Sequence, residues 1–502
     1  MPTNDTPALR GWATLKLLTP YQWFVFIVCC LAWDLDCMDQ QLFVLARQPA
    51  MEELVVRVND KDSRIPDLTS KMSELASKES KPAPTVTAVI AKLQEGDIKE
   101  AGGYATALFM IGWAVGGIGF GIMGDRVGRV KTLTLTILLY SLFTGLSAFS
   151  SSTTDFFLYR FLTGLGVGGV FAAAVTLLAE TLPDAARPYA LGLFQASSVL
   201  GNCTAAGINI GLGYAVFQDA FKGITLLGFT LSPWRLMFLI GILPGLLVVL
   251  VQLRLKEPEK WLKLKAEGKK GGSYGEMLGN PLYRKHAIFG LILAVAGVVG
   301  LWGIAFFAPD LQRSVSLPVY QQEAKAMNLT GEDATRYIRW QGNLWSGVTS
   351  LVQNAGAILG IFAFSIATAR VGRKPTFAFF FVAAGLSTAM VFLFLKQWSD
   401  IFWMVPIMGF FQLAIFGGYA IYFPELFPTR LRSTGTSFCY NVGRLVSAFG
   451  PAALGLLTSK VYNGYEGADP FRYAGVTMCL VFLVGLIALP FLPETKGKPL
   501  PE

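Results

Sequence analysis

Three carboxylates stand in one apolar run, Ala32-Trp-Asp34-Leu-Asp36-Cys-Met-Asp39. On a helix, at about 100° per residue, Asp36, Asp39 and Gln40 share a face, while Asp34 points nearly the opposite way. An ionisable group at bilayer depth is costly unless it is paired or functional, and burial favours the protonated form of a carboxyl. Asp36 and Asp39 are therefore suited to taking up and releasing protons, whereas Asp34 is expected in a salt bridge. Arg160, at the start of another apolar run, could pair with one of these carboxylates once it is deprotonated. Arg444 lies deep in a later run, with Asn441 and Ser437 on its face. Its guanidinium keeps its proton, and its fork matches a carboxylate in two hydrogen bonds. Either it holds an anionic ligand, or a group on the first or tenth helix neutralises it.

Uncharged polar side chains form a second set. Gln195, Ser198 and Asn202 make one stripe at helical spacing, and Gln353, Gln412, Tyr419 and Trp302 stand in other runs. They suit a hydroxylated or ring-bearing organic ligand, and they serve equally as hydrogen-bonding glue between helices. The single histidine, His286, sits at the start of a run, so proton chemistry cannot rest on a buried imidazole. No metal-ligand cluster, nucleophile triad or phosphate-binding loop occurs. The expectation is no enzyme, no metal and no cofactor, with a proton gradient as the energy source.

The elements that hold these residues follow from composition. Of 502 residues, 53% are hydrophobic and 15% charged, against about 25% charged in a soluble chain. Twelve runs are long enough to span a bilayer: Tyr21–Leu45, Gly103–Met123, Thr132–Ala148, Phe156–Ala179, Tyr189–Val216, Trp234–Leu253, Ala287–Ala308, Leu344–Ala367, Thr376–Leu395, Ile401–Phe423, Thr434–Leu457 and Phe471–Leu492. The first is too long and too acidic for a signal-peptide core and reads as a retained helix. By this reading Asp36 lies about 22 Å along the first helix from Tyr21, past the midplane. All six cysteines fall inside the runs, so no disulfide framework is implied.

The chain also repeats itself. Gly121-x-x-x-Asp125-Arg126-Val-Gly128-Arg129 returns as Ala369-Arg370-Val-Gly372-Arg373, and Glu180-Thr-Leu-Pro-x-x-x-Arg187 returns as Glu425-Leu-Phe-Pro-x-x-x-Arg432. The two offsets differ by a single residue, so the chain is two homologous halves. Such halves rock against each other around a central site in membrane carriers. Asp125, Arg126, Arg129, Glu180, Arg187, Arg370, Arg373, Glu425 and Arg432, with Gly121 and Gly128 for close approach, are expected to form a charged latch between the halves. Ala369 replaces Asp125 in the second copy, so the latch should be asymmetric. The expected organisation is a six-helix bundle over 1–254, a linker over 255–286 and a second six-helix bundle over 287–502.

Lys and Arg crowd the short loops on the side of both termini, which places both ends in the cytoplasm of a cell whose plasma (inner) membrane holds the chain. The net charge of +9 is thus a topology signal, and nucleic acid is not an expected partner. The long polar segment over 46–102 is expected outside as a solvated loop with short capping helices, and 312–341 as a second outer insertion.

Several motifs resemble those of the major facilitator superfamily. Gly121 to Lys131 looks like its signature loop, and Arg160-Phe-Leu-Thr-Gly164-Leu-Gly166-Val-Gly168-Gly169 its fourth-helix motif. Glu257-Pro258-Glu259-Lys260-Trp261-Leu262 resembles its motif after helix 6, and Leu492-Pro-Glu494-Thr-Lys-Gly497 its C-terminal counterpart. The helix-1 pattern and Pro424-Glu425-Leu-Phe-Pro428-Thr-Arg430-Leu-Arg432 are similar to the sialate and monocarboxylate proton symporters and their aromatic-acid relatives. The resemblance implies an all-α membrane protein of twelve helices in two pseudo-symmetric bundles. It implies a monomer that imports a small organic anion with protons by alternating access. The alternatives are a sugar or polyol carrier and a non-transporting nutrient receptor.

Overall fold

A computed structural model describes residues 11–59, 62–78, 85–217, 224–247, 251, 254–268, 271–462 and 469–501. The first half is carried by α1 (Pro20–Leu54), α2 (Ile65–Lys78), α3 (Val86–Arg126), α4 (Arg129–Ser147), α5 (Thr153–Thr181), α6 (Arg187–Phe217) and α7 (Pro233–Ile240). A short hairpin, β1 (Thr225–Leu226) with β2 (Phe229–Thr230), precedes α7. Two short helices, α8 (Glu259–Ala266) and α9 (Tyr274–Gly279), form the linker. The second half has α10 (Pro281–Gly303), α11 (Ala308–Ala326), α12 (Gly331–Val371), α13 (Arg373–Phe394) and α14 (Ile401–Tyr422). It closes with α15 (Arg432–Ser437), α16 (Gly443–Ser447), α17 (Gly450–Leu456), α18 (Asp469–Met478) and α19 (Val481–Ala488).

Among the described residues, nine helical stretches are long and apolar enough to cross a membrane. The other three expected spans differ for identifiable reasons. The polar stripe of α6 dilutes the apolarity of a 31-residue helix. The sixth run is only partly described, with α7 and a 3₁₀ turn over Leu243–Leu246. The eleventh is broken by π turns at Phe438–Val442 and Leu457–Val461.

The expected outer loop over 46–102 is mostly helix. α1 runs on to Leu54 and α3 starts at Val86, because the polar residues there are good helix formers. α2 occupies the place expected for a capping helix. Arg64 bridges Asp62 and Asp97, tying α2 to α3. Glu53 accepts from Arg235 at 2.7 Å and from Trp234 Nε1 at 2.7 Å, fixing the end of α1 to α7. The insertion over 312–341 likewise lies largely in α11 and α12.

Bare glycine backbone brings the helices of each half together. A Cβ on Gly116 would strike the Leu165 carbonyl, so α3 lies directly on α5. Gly360 stands in the same relation to the Phe410 carbonyl, with α12 on α14. Small residues at such crossings let dispersion do what the hydrophobic effect cannot do in lipid. The halves meet where α3 packs on α15 and α6 on α12. There, Asn202 Nδ2 donates to Asn354 Oδ1 at 3.3 Å.

Candidate functional site

At one end of the molecule α4 begins just after Gly128, whose φ of +132° suits glycine alone. The first N–H groups of a helix have no intrahelical partner. Glu257 accepts them from Arg129 at 2.7 Å, Val130 at 3.1 Å and Lys131 at 3.3 Å. The second half repeats the device: Gly372 has φ +116°, and Glu494 accepts from the backbone of Arg373 and Lys374, each at 3.0 Å. Arg129 then forks onto Glu180 at 3.1 and 3.0 Å, as Arg373 does onto Glu425 at 3.1 and 2.7 Å.

Beyond this the symmetry ends. Asp125 accepts from Ser433 N at 3.2 Å, Thr434 N at 2.8 Å and Thr434 Oγ1 at 2.7 Å, so a carboxylate of the first half caps a helix of the second. Glu180 also receives Arg432 Nη1 at 2.8 Å, and Arg129 donates to the Thr429 carbonyl at 2.8 Å. The side chains of Arg129, Glu180 and Arg432 are fully buried in this network. Gly121 and Gly124 leave room for Ser437 and Ser433. At Ala369 no carboxyl exists to make the mirror contact. The linker packs against this end, with Trp261 Nε1 donating to the Asp125 carbonyl at 2.8 Å.

Midway between the ends, the Arg444 guanidinium carbon lies 3.5 Å from the Trp113 ring centroid and 4.2 Å from that of Tyr440. Only 3% of Arg444 is exposed, and its Nε and Nη1 have no hydrogen-bond partner. Tyr440 stacks on Phe171 at 4.1 Å, and Trp302 meets Trp113 edge-on at 6.0 Å. The π turn over Phe438–Val442 ends just before Arg444; such bulges re-aim side chains and recur at functional sites. Asp36 faces Arg444 electrostatically but makes no ion pair with it. One Asp36 oxygen accepts from Gln40 at 2.9 Å, and the other has no partner.

A second cluster lies inside the first half. Neither oxygen of buried Asp39 has a hydrogen-bond partner. A Cβ on Gly241 would touch both Asp39 and Thr144, which places α1, α4 and α7 around this carboxyl. Arg160 faces it, gives Nε and Nη2 to Ser147 Oγ at 3.1 and 2.6 Å, and lies 4.5 Å from the Phe238 centroid. Its Nη1 is unpartnered. Buried charged groups with spare donors and acceptors are rare unless something else fills them.

Comparison with known proteins decides the family. The model of "Sugar (and other) transporter" matches residues 74–278 and 379–502. The chain belongs to that family. The "Cis,cis-muconate transport protein" of Acinetobacter baylyi is 27% identical, covering 78% of this chain and 84% of that protein. The "Sialic acid transporter NanX" of Escherichia coli is 25% identical, covering 74% and 81%. The solved proton:xylose symporter XylE superposes with a TM-score of 0.63 at 17% identity, covering 96% of this chain and 98% of that one. The fold is that of the major facilitator superfamily, and the chain is a multi-pass membrane transporter, not an enzyme.

Set against this transporter's geometry, the expected residues divide. Asp36, Asp39, Arg160 and Arg444 are buried with open valences. Gln195 Oε1, Gln353 Nε2 and Gln412 Oε1 are also buried and unpartnered, although Gln412 Nε2 already donates to Thr388. Tyr419 is a structural tie instead: its hydroxyl donates to Leu293 O at 2.6 Å and receives Gly297 N at 3.1 Å. Asn441 donates to Gly168 O across the halves and to Ser437 Oγ one turn back, Ser198 bonds its own helix at Gln195 O, and Asn202 joins Asn354. Trp302 meets the site through Trp113.

In the latch, three arginines fall away. Arg126 donates to Gly271 O at 3.2 Å, Arg187 turns onto Ala179 O at 3.1 Å and Asp184, and exposed Arg370 offers only its carbonyl, to Lys496. Asp34 forms no salt bridge among the described residues; it is half-buried, with Oδ1 unpartnered. Sequence reasoning missed Trp113, Tyr440 and Thr434. Glu257 and Glu494 stood out only as motif residues, without a sign that they cap the starts of α4 and α13.

Proposed function

We propose that this transporter imports a small organic anion together with protons, with Arg444 receiving the carboxylate. The observation that carries the reading is a desolvated guanidinium lying against Trp113 and Tyr440 with two nitrogens unpartnered, a setting in which a substrate carboxylate would complete the valences. Relatives named for muconate and sialic acid support the substrate class. Asp36, which faces Arg444, and Asp39, which faces Arg160, are the coupling carboxyls in this reading. We place the chain in a bacterial inner membrane as a monomer, both termini cytoplasmic, with the bundles bounded at 254 and 287. The closed latch then corresponds to a cytoplasmic gate that is shut.

The test is equilibrium binding of cis,cis-muconate and sialate, each beside its amide, to wild type and Arg444 variants. Arg444→Lys keeps charge but loses the fork, and Arg444→Gln loses both. A charge-assisted bond contributes about 1.5–3 kcal/mol, so Arg444→Gln should weaken acid binding roughly 10–100-fold, with Arg444→Lys between. Amides that bind wild type as tightly as their acids would make Arg444 structural. A sugar or polyol substrate is the second reading, favoured by the unpartnered amides of Gln195, Gln353 and Gln412. Such a ligand would tolerate Arg444→Lys.

A further inference from the structure

The repeat that gives the first half Asp125 and the second half Ala369 fastens the two seams between the halves unequally. On the α3–α15 seam, Asp125 bonds Thr434, and Gly121 leaves room for Ser437. In the same alignment of the halves, Ser365, Gly192 and Tyr189 hold the places of Gly121, Ser437 and Thr434. The small-residue crossing survives on the α6–α12 seam with its roles exchanged: a Cβ on Gly192 of α6 would strike the Ser365 side chain of α12. The carboxylate does not survive, and Ala369 has no group with which to bond Tyr189.

The segment before α1 meets that seam. Gly11–Leu17 is a 3₁₀ helix, and its Trp12 ring stands edge-on to Tyr189 of α6, with centroids 5.1 Å apart, and to Phe362 of α12, at 5.2 Å. Phe362 is one turn before Ser365 on α12. Trp12 therefore touches one helix of each half at once. Edge-on aromatic pairs at this spacing attract beyond the area they bury. The segment itself is fastened to the first half. Thr14 and Leu18 are buried, Thr19 and Gln22 cap the start of α1 reciprocally, and Gln22 Nε2 donates to the Thr181 carbonyl at 2.8 Å. When the halves part, the contact with Tyr189 travels with the first half and the contact with Phe362 must break.

We propose that Trp12 is the keeper of the α6–α12 seam, an aromatic wedge that holds the latched end shut on the side where the repeat supplies no carboxylate. The two seams then differ in kind: one is closed by a buried charge network, the other by uncharged rings carried on the segment before α1. Whatever draws that segment off Phe362 unlocks the α6–α12 side and leaves Asp125 and Glu180 in place. The proposal is independent of the substrate and of proton coupling.

The test uses full-length protein with its six cysteines replaced and spin labels at exposed Ala185, just before α6, and exposed Arg370, at the end of α12. Trp12→Ala should raise the ratio of long to short distances roughly 2–10-fold, and Trp12→Phe, which keeps a ring, should raise it less. Phe362→Ala should match Trp12→Ala, and the double variant should add nothing further, because both remove one contact. An unchanged distribution in Trp12→Ala, or additive effects of the two substitutions, overturns the keeper. Leu17 lies on the same segment and is 47% exposed, so Leu17→Ala should keep the wild-type distances. If it moves them as far as Trp12→Ala does, the segment acts by seating on lipid and the proposal is wrong. Should Trp12→Ala not fold, Phe362→Ala removes the same contact from the other side, and unchanged distances there overturn it equally.

Discussion

Replacing Asp125 by Asn should open the latched end. The carboxylate accepts three hydrogen bonds from the first turn of α15, at 3.2, 2.8 and 2.7 Å, with Arg129 Nη2 at 3.1 Å beside it. Asn keeps the shape and one acceptor oxygen but loses the charge. A charge-assisted hydrogen bond contributes about 1.5–3 kcal/mol and a neutral one about 0.5–1.5. In the open state residue 125 is hydrated whichever side chain it bears, so the difference falls on the closed state. Arg129 keeps its fork on Glu180 and is not stranded, which caps the loss at about 1–2 kcal/mol. That corresponds to a roughly 5–30-fold shift towards the open state.

The assay is the distance between spin labels on exposed Lys131 and Arg370, one in each half near the latched end, in a background whose six cysteines have been replaced. The longer-distance population should grow by the stated factor in Asp125→Asn. Glu180→Gln should enlarge it further, since buried Arg432 loses its only carboxylate among the described residues. If Glu180→Gln moves the distribution while Asp125→Asn leaves it unchanged, the helix cap contributes nothing to closure and the reasoning fails.

Two further predictions concern stability. Glu494→Gln should lose about 1 kcal/mol of helix capping and lower the melting temperature. Burial pushes the Glu494 pKa up, but backbone N–H groups of Arg373, Lys374 and Lys496 outweigh it and hold the pKa below the ordinary value. Its ionised form is therefore favoured by folding, and that contribution is lost as pH falls through the depressed value. Wild type should lose stability on acidification more steeply than Glu494→Gln, and parallel pH curves would refute the cap. Gly116→Ala should overpack α3 on α5 at a cost of about 1–3 kcal/mol. Gly119→Ala, with open space around its Cβ position, should stabilise the helix by up to about 1 kcal/mol. Thermal unfolding of the two variants reads the contrast directly.

What could be read from the sequence, and what could not, follows the physics of lipid. Charges at helix ends are few and costly, so Asp125, Arg129, Glu180 and Arg432 were visible as a network before any geometry. The asymmetry expected from Ala369 follows from the same reasoning and matches the placement of the side chains. Trp113 and Tyr440 gave no signal, because an aromatic residue in an apolar helix reads as core whether it packs on leucine or on a guanidinium. Tyr419 misled for the complementary reason. Its hydroxyl suggested a ligand, but a nearby helix supplied both its donor and its acceptor at Gly297 and Leu293. Polar residues beyond Leu45 and before Gly103 looked like loop because hydropathy marks where lipid ends, not where a helix ends.

The asymmetry of the latch bears on how the halves can move. Each half holds its own Arg–Glu fork, Arg129 with Glu180 and Arg373 with Glu425, so each stays internally tied when the halves part. The contacts of Asp125 with α15, Arg432 with Glu180 and Arg129 with the Thr429 carbonyl must be broken, together with the hydrogen bonds of Ser437 to Gly117 O and Asn441 to Gly168 O, and all lie where α15 and the turn after it meet the first half. On the α6–α12 side the crossing polar contact is the neutral Asn202–Asn354 bond at 3.3 Å, which is weaker. Opening should therefore start at α3–α15, and the same two segments carry the groups around the centre: Trp113 is on α3, and Tyr440 and Arg444 follow α15. Parting them separates Arg444 from Trp113, so release of these contacts and exposure of the Arg444 guanidinium are one motion.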